Sequence, residues 1–308
     1  MILCCGEALI DMIPRKTAGG ADAYQPFNGG SVYNTAIALG RLGNETALFC
    51  GLSNDFFGDG LADGMKAAHV SHKYLRRKDR HTTLALVKLT NGHARYAFLE
   101  EGSANRMLEK KDLPKLPKSV KALHFGSISL IPEPCGSTYE TLQKRAAKRC
   151  VISLDPNIRA TLIKDKKKHI ARLNRMIALS DIVKISDEDI VWMTGSKDFA
   201  KVAKSFLKNG AKLVAVTKGG EGCLVFSKSF AFKLTAPKVK VADTVGAGDT
   251  FTAGLLTHLQ RSEHLSKKAI AAMTEAEARA AAAFAMKCAA VTVSRAGANP
   301  PWAKEVGL

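Results

Sequence analysis

A stretch in the C-terminal third, Ala242-Asp243-Thr244-Val245-Gly246-Ala247-Gly248-Asp249-Thr250-Phe251, holds the residue types needed to grip an anion. Beyond Asp249 the apolar residues fall at helical spacing, with Phe251, Leu255, Leu256 and Leu259 on one face. A Gly-Ala-Gly turn therefore feeds a helix N-terminus. Small residues let main-chain N–H groups converge, and the first helical turn adds unpaired donors and the positive end of the dipole. Asp249, at the mouth of this anion hole, has two readings. It can be a first-turn acid that stabilises the helix. It can also take the proton of an attacking hydroxyl while the amides of Gly246, Ala247 and Gly248 hold a transferring phosphoryl group.

Other nucleotide and metal signatures are missing. No G-x-x-x-x-G-K-[ST] occurs, and Gly58-Asp59-Gly60-Leu61-Ala62-Asp63 departs from G-x-G-x-x-G at its last position. His69 and His72 have metal-like spacing but no third ligand nearby, and read as an ordinary surface or loop pair. The seven cysteines are an odd number without C-x-x-C spacing, and most sit in apolar runs. They read as reduced core residues.

The elements that must carry these residues follow from periodicity. Short apolar runs at 2–5, 46–50, 122–125, 151–154, 181–185 and 213–217 read as buried strands, and 32–42, 136–149, 166–179 and 199–208 as helices between them. Such alternation predicts an α/β domain spanning 1–308, a mainly parallel central sheet with helices on both faces. Residues 83–90 and 93–99, joined by Asn91-Gly92, read instead as a β-hairpin, because both turn residues tolerate positive φ. A hairpin is foreign to a βαβ sheet, and is either a flap over a site or an antiparallel edge. Pairing of this hairpin with a second copy, giving a homodimer, and a solitary state both suit the pattern.

Composition bounds the rest. The 308 residues carry 46 Lys plus Arg against 28 Asp plus Glu, a net charge of +18, with 46% hydrophobic and 24% charged residues. These are the proportions of a globular protein, not of a disordered or low-complexity chain. The basic segments at 73–80, 110–121, 144–149 and 164–168 are dispersed, with little aromatic interleaving. They read as solvated faces, so no nucleic-acid partner is expected. No apolar run approaches the roughly 20 residues of a membrane span. The N-terminus lacks a basic leader, and a cytoplasmic protein without a membrane partner is expected.

Several motifs in register make the chain recognisable. Asp243-Thr244-Val245-Gly246-Ala247-Gly248-Asp249 resembles the D-T-x-G-A-G-D signature of the ribokinase-like (PfkB) carbohydrate kinases. Gly29-Gly30-Ser31-Val32-Tyr33-Asn34 is similar to the family's first signature, and Gly6-Glu7-Ala8-Leu9-Ile10-Asp11 to the start of its bacterial fructokinases. Asp155-Pro156-Asn157-Ile158-Arg159 and Thr217-Lys218-Gly219-Gly220-Glu221-Gly222 match two further stretches, in the family's order.

The resemblance implies an ATP-dependent sugar kinase, with fructose the expected substrate and 2-keto-3-deoxygluconate the alternative. It implies Asp249 as general base, with Gly246, Ala247 and Gly248 as anion hole. Asp11, Gly29, Gly30, Asn34 and Arg159 would hold the sugar. A small β lid from about 11–28 and 82–103 would add Arg95 and Phe98. Lys184, Thr217, Gly219, Gly222 and an Ala-rich helix at 280–290 that includes Cys288 would line ATP. The family's N-x-x-E stretch, associated with Mg²⁺ through water, stands here as Ser186-Asp187-Glu188-Asp189, which leaves Asp189 as the expected acid and the choice among 187–189 open. A monovalent cation such as K⁺ would use main-chain oxygens near Asp243 and Val245. A catalytically silent sugar-binding protein on the same fold is the remaining reading, and the intact Gly-Ala-Gly-Asp speaks against it.

Overall fold

Continuous apolar runs become strands here because the sheet they form is covered on both faces. Ile2–Cys5, Ala122–Gly126 and Val151–Asp155 are buried along their whole length. Successive residues of a strand point to opposite faces. Ile2 and Cys4 therefore join one apolar cluster, with helices Ser31–Arg41, Ala247–Arg261 and Glu275–Val293. Leu3 and Cys5 join the other, with Cys135–Ala146, Lys166–Ala178 and Phe199–Asn209.

The computed structural model describes residues 1–90 and 93–308, and of residues 88–90 and 93–96 the backbone alone. Among the described residues the large sheet has nine strands. In spatial order they are Ala231–Leu234, Cys223–Phe226, Leu213–Thr217, Ile182–Ser186, Val151–Asp155, Ala122–Gly126, Ile2–Cys5, Thr46–Phe49 and Val70–Ser71. All neighbours are parallel except at one edge, where Cys223–Phe226 and Ala231–Leu234 run antiparallel. The chain order reverses direction across Ile2–Cys5, and the carboxyl ends of the central strands open onto the crevice where such sheets bind ligands.

The 83–99 region joins a separate four-stranded sheet, ordered Asp22–Gly29, Leu9–Lys16, Leu84–Thr90, His93–Leu99. Its outer pairings are antiparallel, but its central one, Ile10–Met12 with Leu84–Leu86, is parallel. The expected Asn91-Gly92 turn and the Arg95 side chain lie outside the described residues. Two helices escaped periodicity. Phe56–Ala67 contains three glycines, and is started by Asp55, whose carboxylate accepts the Gly58 N–H at 2.8 Å. Lys267–Ala271 is only one turn long, too short for a periodic signal. All seven cysteines are free and buried. Among the described residues no helix is long and apolar enough to cross a membrane.

Candidate active site

The Gly-Ala-Gly turn starts its helix earlier than periodicity predicts, at Ala247, with Gly246 as N-cap at φ 76°. Asp249 is thus the third helical residue, and it is 6% exposed. Among the described residues the N–H groups of Gly248 and Asp249 find no acceptor, whereas the Ala247 N–H donates to the Thr244 carbonyl at 3.3 Å. These are the orphan donors that a helix start presents to an anion. The Asp249 carboxylate is held from both sides: the Ser31 hydroxyl donates to Oδ1 at 2.6 Å and the Asn34 amide to Oδ2 at 3.0 Å. Burial pushes its pKa above the ordinary carboxylate value against those two donors, and the nearby Asp155 adds to the rise. A base of raised affinity for protons suits the task of taking one.

Beneath the turn lies a buried ion pair. Lys184 Nζ meets Asp155 Oδ2 at 2.9 Å, with the two side chains 6% and 2% exposed. A Cβ placed on Gly248 would come within 2.7 Å of Lys184 Nζ, so the ammonium sits directly against the Gly-Ala-Gly turn. Burial alone would lower the Lys184 pKa, but the Asp155 charge and hydrogen bond outweigh it and the net movement is upward. Lys184 therefore keeps its positive charge at the anion hole.

A polar cavity of about 460 Å³ opens in front of Asp249. Asp11, Gly30, Asn34, Phe98, Arg159, Gly246 and Gly248 line it, as do Glu7, Lys184 and Glu188. Gly29 does not line it but backs Asp11, whose Oδ2 would be 2.1 Å from a Cβ there. Gly30 adopts φ 104°, a backbone conformation costly to any other residue, and it turns the chain from the small sheet into helix Ser31–Arg41. Arg159 lines the cavity with part of its guanidinium already engaged. Its Nη1 donates to Asn157 Oδ1 at 2.6 Å and to the Ile158 carbonyl at 3.2 Å.

Burial pushes the Asp11 pKa up to about 6; Arg159 opposes the rise, and the Asp249 and Glu7 charges add to it. Above that pH Asp11 is an anion that accepts hydroxyl protons, and below it the carboxyl is neutral. KM for the sugar is therefore expected to climb as pH falls through about 6, by up to about tenfold per pH unit. Asp11→Asn should weaken binding and abolish that dependence. A wild-type KM that stays flat across this range would remove Asp11 as the ionised sugar ligand.

On the other side of the turn lies an apolar cavity of about 640 Å³. Thr217, Gly219, Gly222 and Ala247 border it, and Val239, Val241 and Phe251 form much of its wall. From helix Glu275–Val293 come Met286, Ala289, Ala290 and Val293, one face at helical spacing. Cys288 is on the opposite face. It is fully buried, against the position where Gly254 would carry a Cβ, 3.2 Å from Sγ, so it does not line the cavity as expected. Thr244 and Gly248 line both cavities, and Asp249, the residue after Gly248, lines the polar one.

The acidic run divides its labour differently from expectation. Asp189 is 9% exposed and its Oδ1 accepts the Ile158 N–H at 3.1 Å; burial, with the Asp155 charge behind it, pushes its pKa up to about 6. It is Glu188 that faces the polar cavity. Among the described residues no group of three or more His, Cys, Asp or Glu could hold a metal by itself. Asp243 commits both carboxylate oxygens to N–H groups, Val245 at 3.0 Å and Gly297 at 2.9 Å. A monovalent ion here would be left to main-chain oxygens.

The whole-chain comparisons agree with this geometry. Residues 1–305 match the pfkB family of carbohydrate kinases. The chain belongs to that family. A fructokinase of Rhizobium leguminosarum bv. trifolii is 51% identical to this kinase over 275 residues, 89% of this chain and 84% of that protein. The crystal structure of Xylella fastidiosa fructokinase with bound ATP matches at a TM-score of 0.91 and 26% identity, covering 99% of this chain and 96% of that one. Vibrio cholerae fructokinase with bound fructose, ADP and calcium matches at a TM-score of 0.83 and 27% identity, over 96% and 94% of the two chains. The ribokinase-like fold and the phosphotransferase class of the enzyme rest on these matches and on the sheet topology together.

Reading motifs residue by residue missed Ser31, Asn157, Asp155 and Glu7. Glu7 is fully buried at the cavity floor, accepting the N–H groups of Val32 at 3.3 Å and Ser129 at 3.4 Å. Each lies inside a quoted motif, so the signal was present. What sequence could not supply was the partner.

Proposed function

We propose that this kinase is an ATP-dependent fructokinase, with the sugar in the polar cavity and the nucleotide in the apolar one. The observation that carries the reading is the position of Asp249 in the polar cavity, next to Gly248, which both cavities share, and beside orphan N–H donors. The sugar hydroxyl loses its proton to Asp249 as its oxygen attacks the γ-phosphorus. The bond from that phosphorus to the β–γ bridging oxygen breaks, and ADP leaves. The main-chain N–H groups of the turn, with the Lys184 ammonium beneath, hold the charge of the transferring group in place. The apolar wall and the small alanines of helix Glu275–Val293 suit a flat purine, and the glycines at 219 and 222 suit close approach of phosphates. Mg²⁺ would supply charge neutralisation between the phosphates. Because such an ion draws most of its ligands from phosphate and water, one facing carboxylate suffices, and Glu188 fits that role better than Asp189. The small sheet, bearing Asp11 and Phe98, would act as a lid that excludes water from the transfer.

An acidic sugar is the less favoured substrate, because the 51% identical relative is a fructokinase and Arg159 already commits its Nη1 to Asn157 and main-chain oxygens. Steady-state kinetics with ATP across fructose, ribose, adenosine and 2-keto-3-deoxygluconate tests the assignment. Fructose is expected to give the highest kcat/KM. Turnover of the keto-deoxy acid with none of fructose would overturn the substrate while leaving the kinase chemistry intact.

A further inference from the structure

The Asp249 carboxylate is the end of a hydrogen-bond chain whose direction is forced. A guanidinium only donates, so the Asn157 atom that Arg159 Nη1 meets at 2.6 Å must be the carbonyl Oδ1. That fixes the Asn157 amide, and its Nδ2 then donates to Ser31 Oγ at 2.7 Å. With one lone pair of Ser31 occupied, its proton is directed onto Asp249 Oδ1 at 2.6 Å. Asn157 Nδ2 also stands 3.5 Å from the same oxygen. Asn157 is held at φ 38°, a conformation Asn tolerates better than most residues, which brings its side chain back beneath Ser31. Oδ2 accepts a single donor, the Asn34 amide at 3.0 Å, among the described residues, and Ser31, Asn34 and Asn157 all line the polar cavity.

We propose that Ser31 and Asn157 are positioning residues for the base: through the chain Arg159–Asn157–Ser31 they saturate Oδ1 of Asp249, so that Oδ2 takes the proton of the sugar hydroxyl. The proposal rests on the reading of Asp249 as general base. Ser31 also tunes that base, because a donor to the carboxylate favours its ionised form. Other charges surround Asp249: Glu7 from the connection between the first two strands, Asp11 from strand Leu9–Lys16, the Asp155–Lys184 pair, and Arg159 and Glu188 in the cavity lining. Only Ser31 and Asn34 donate to it within 3.0 Å among the described residues.

The test is the pH profile of kcat at saturating fructose and ATP. Ser31→Ala is expected to lower kcat about tenfold and to move the acid limb about one pH unit higher, with KM for both substrates within about twofold of wild type. Ser31→Thr, which keeps the hydroxyl, should return the limb toward its wild-type position. Asn157→Ala should move it the same way by less. Because Asn157 acts chiefly through Ser31, its direct approach to Oδ1 being 3.5 Å, the double variant should move it little further than Ser31→Ala alone. An unmoved limb in Ser31→Ala, with unchanged thermal midpoint and nucleotide affinity, overturns the proposal, and so does a double variant whose shifts add. These failures are separable from that of the base itself. If Asp249→Asn still turns over, the base reading fails whatever Ser31 does. If it is inactive while the Ser31→Ala limb stays put, only the positioning role is lost.

Discussion

Asp249→Asn is expected to lower kcat by about 10³-fold or more while leaving fructose and ATP affinity within a few fold of wild type. The substitution keeps shape and size and removes the ability to take a proton. Its amide oxygen can still accept the Ser31 hydroxyl, and the Asn34 amide can turn over to present its oxygen to the new NH₂ group. The cavity therefore stays assembled, and the loss appears in the chemical step rather than in binding. Burst kinetics and calorimetric titration with fructose separate the two. Turnover within tenfold of wild type would mean that another group, or solvent, takes the proton.

The second large effect is on stability. Lys184→Met leaves Asp155 buried without its counter-charge, and among the described residues the Asp155 Oδ1 atom already lacks a hydrogen-bond partner. Removing one member of a buried pair costs about 3–5 kcal/mol, because the remaining charge cannot be solvated. The denaturant midpoint should fall accordingly. Adding Asp155→Asn should recover most of the loss, since no net charge then remains to be buried. Recovered stability should not restore activity, because the ammonium under Gly248 is gone. If Lys184→Met alone unfolds at the wild-type denaturant concentration, the pair contributes little and its geometry is incidental.

Strand positions were legible because a parallel sheet covered on both faces demands unbroken apolar runs, as in 2–5 and 151–154. The antiparallel edge was not. Ala231–Leu234 alternates with exposure, and looks like a loop unless its neighbour Cys223–Phe226 is already known. The Gly-Ala-Gly-Asp turn was legible as a local anion trap, since its donors are supplied by consecutive residues. Ser31 was not, because its partner is 218 residues away. Cys288 was misjudged for a different reason. Helix Glu275–Val293 is rich in alanine all round, so no polar stripe shows which face turns to the cavity. At 187–189 three adjacent acids made Asp189 the expected one without closing the choice, and only the fold distinguishes Glu188, facing the cavity, from Asp189, bonded to the Ile158 N–H.

The net charge of +18, the boldest number in the composition, is not concentrated at the proposed site, where Arg159 and Lys184 are the basic residues among those lining the polar cavity. The dispersed surface charge acts at long range, raising the local concentration of an anionic nucleotide in a way that salt screens.

Asp11 and Phe98 belong to the four-stranded sheet, whereas Asp249, Gly248 and Lys184 belong to the large body. In the proposed mechanism, part of what reads the sugar is therefore built on a different platform from what moves the phosphate. Substitutions in the short strands Leu9–Lys16 and His93–Leu99 can reshape the hydroxyl pattern accepted without touching the turn, its helix or the buried pair beneath. Such a division makes the protein readily adaptable over evolutionary time: a lineage can try new sugars by varying one small sheet while its reaction chemistry is inherited unchanged.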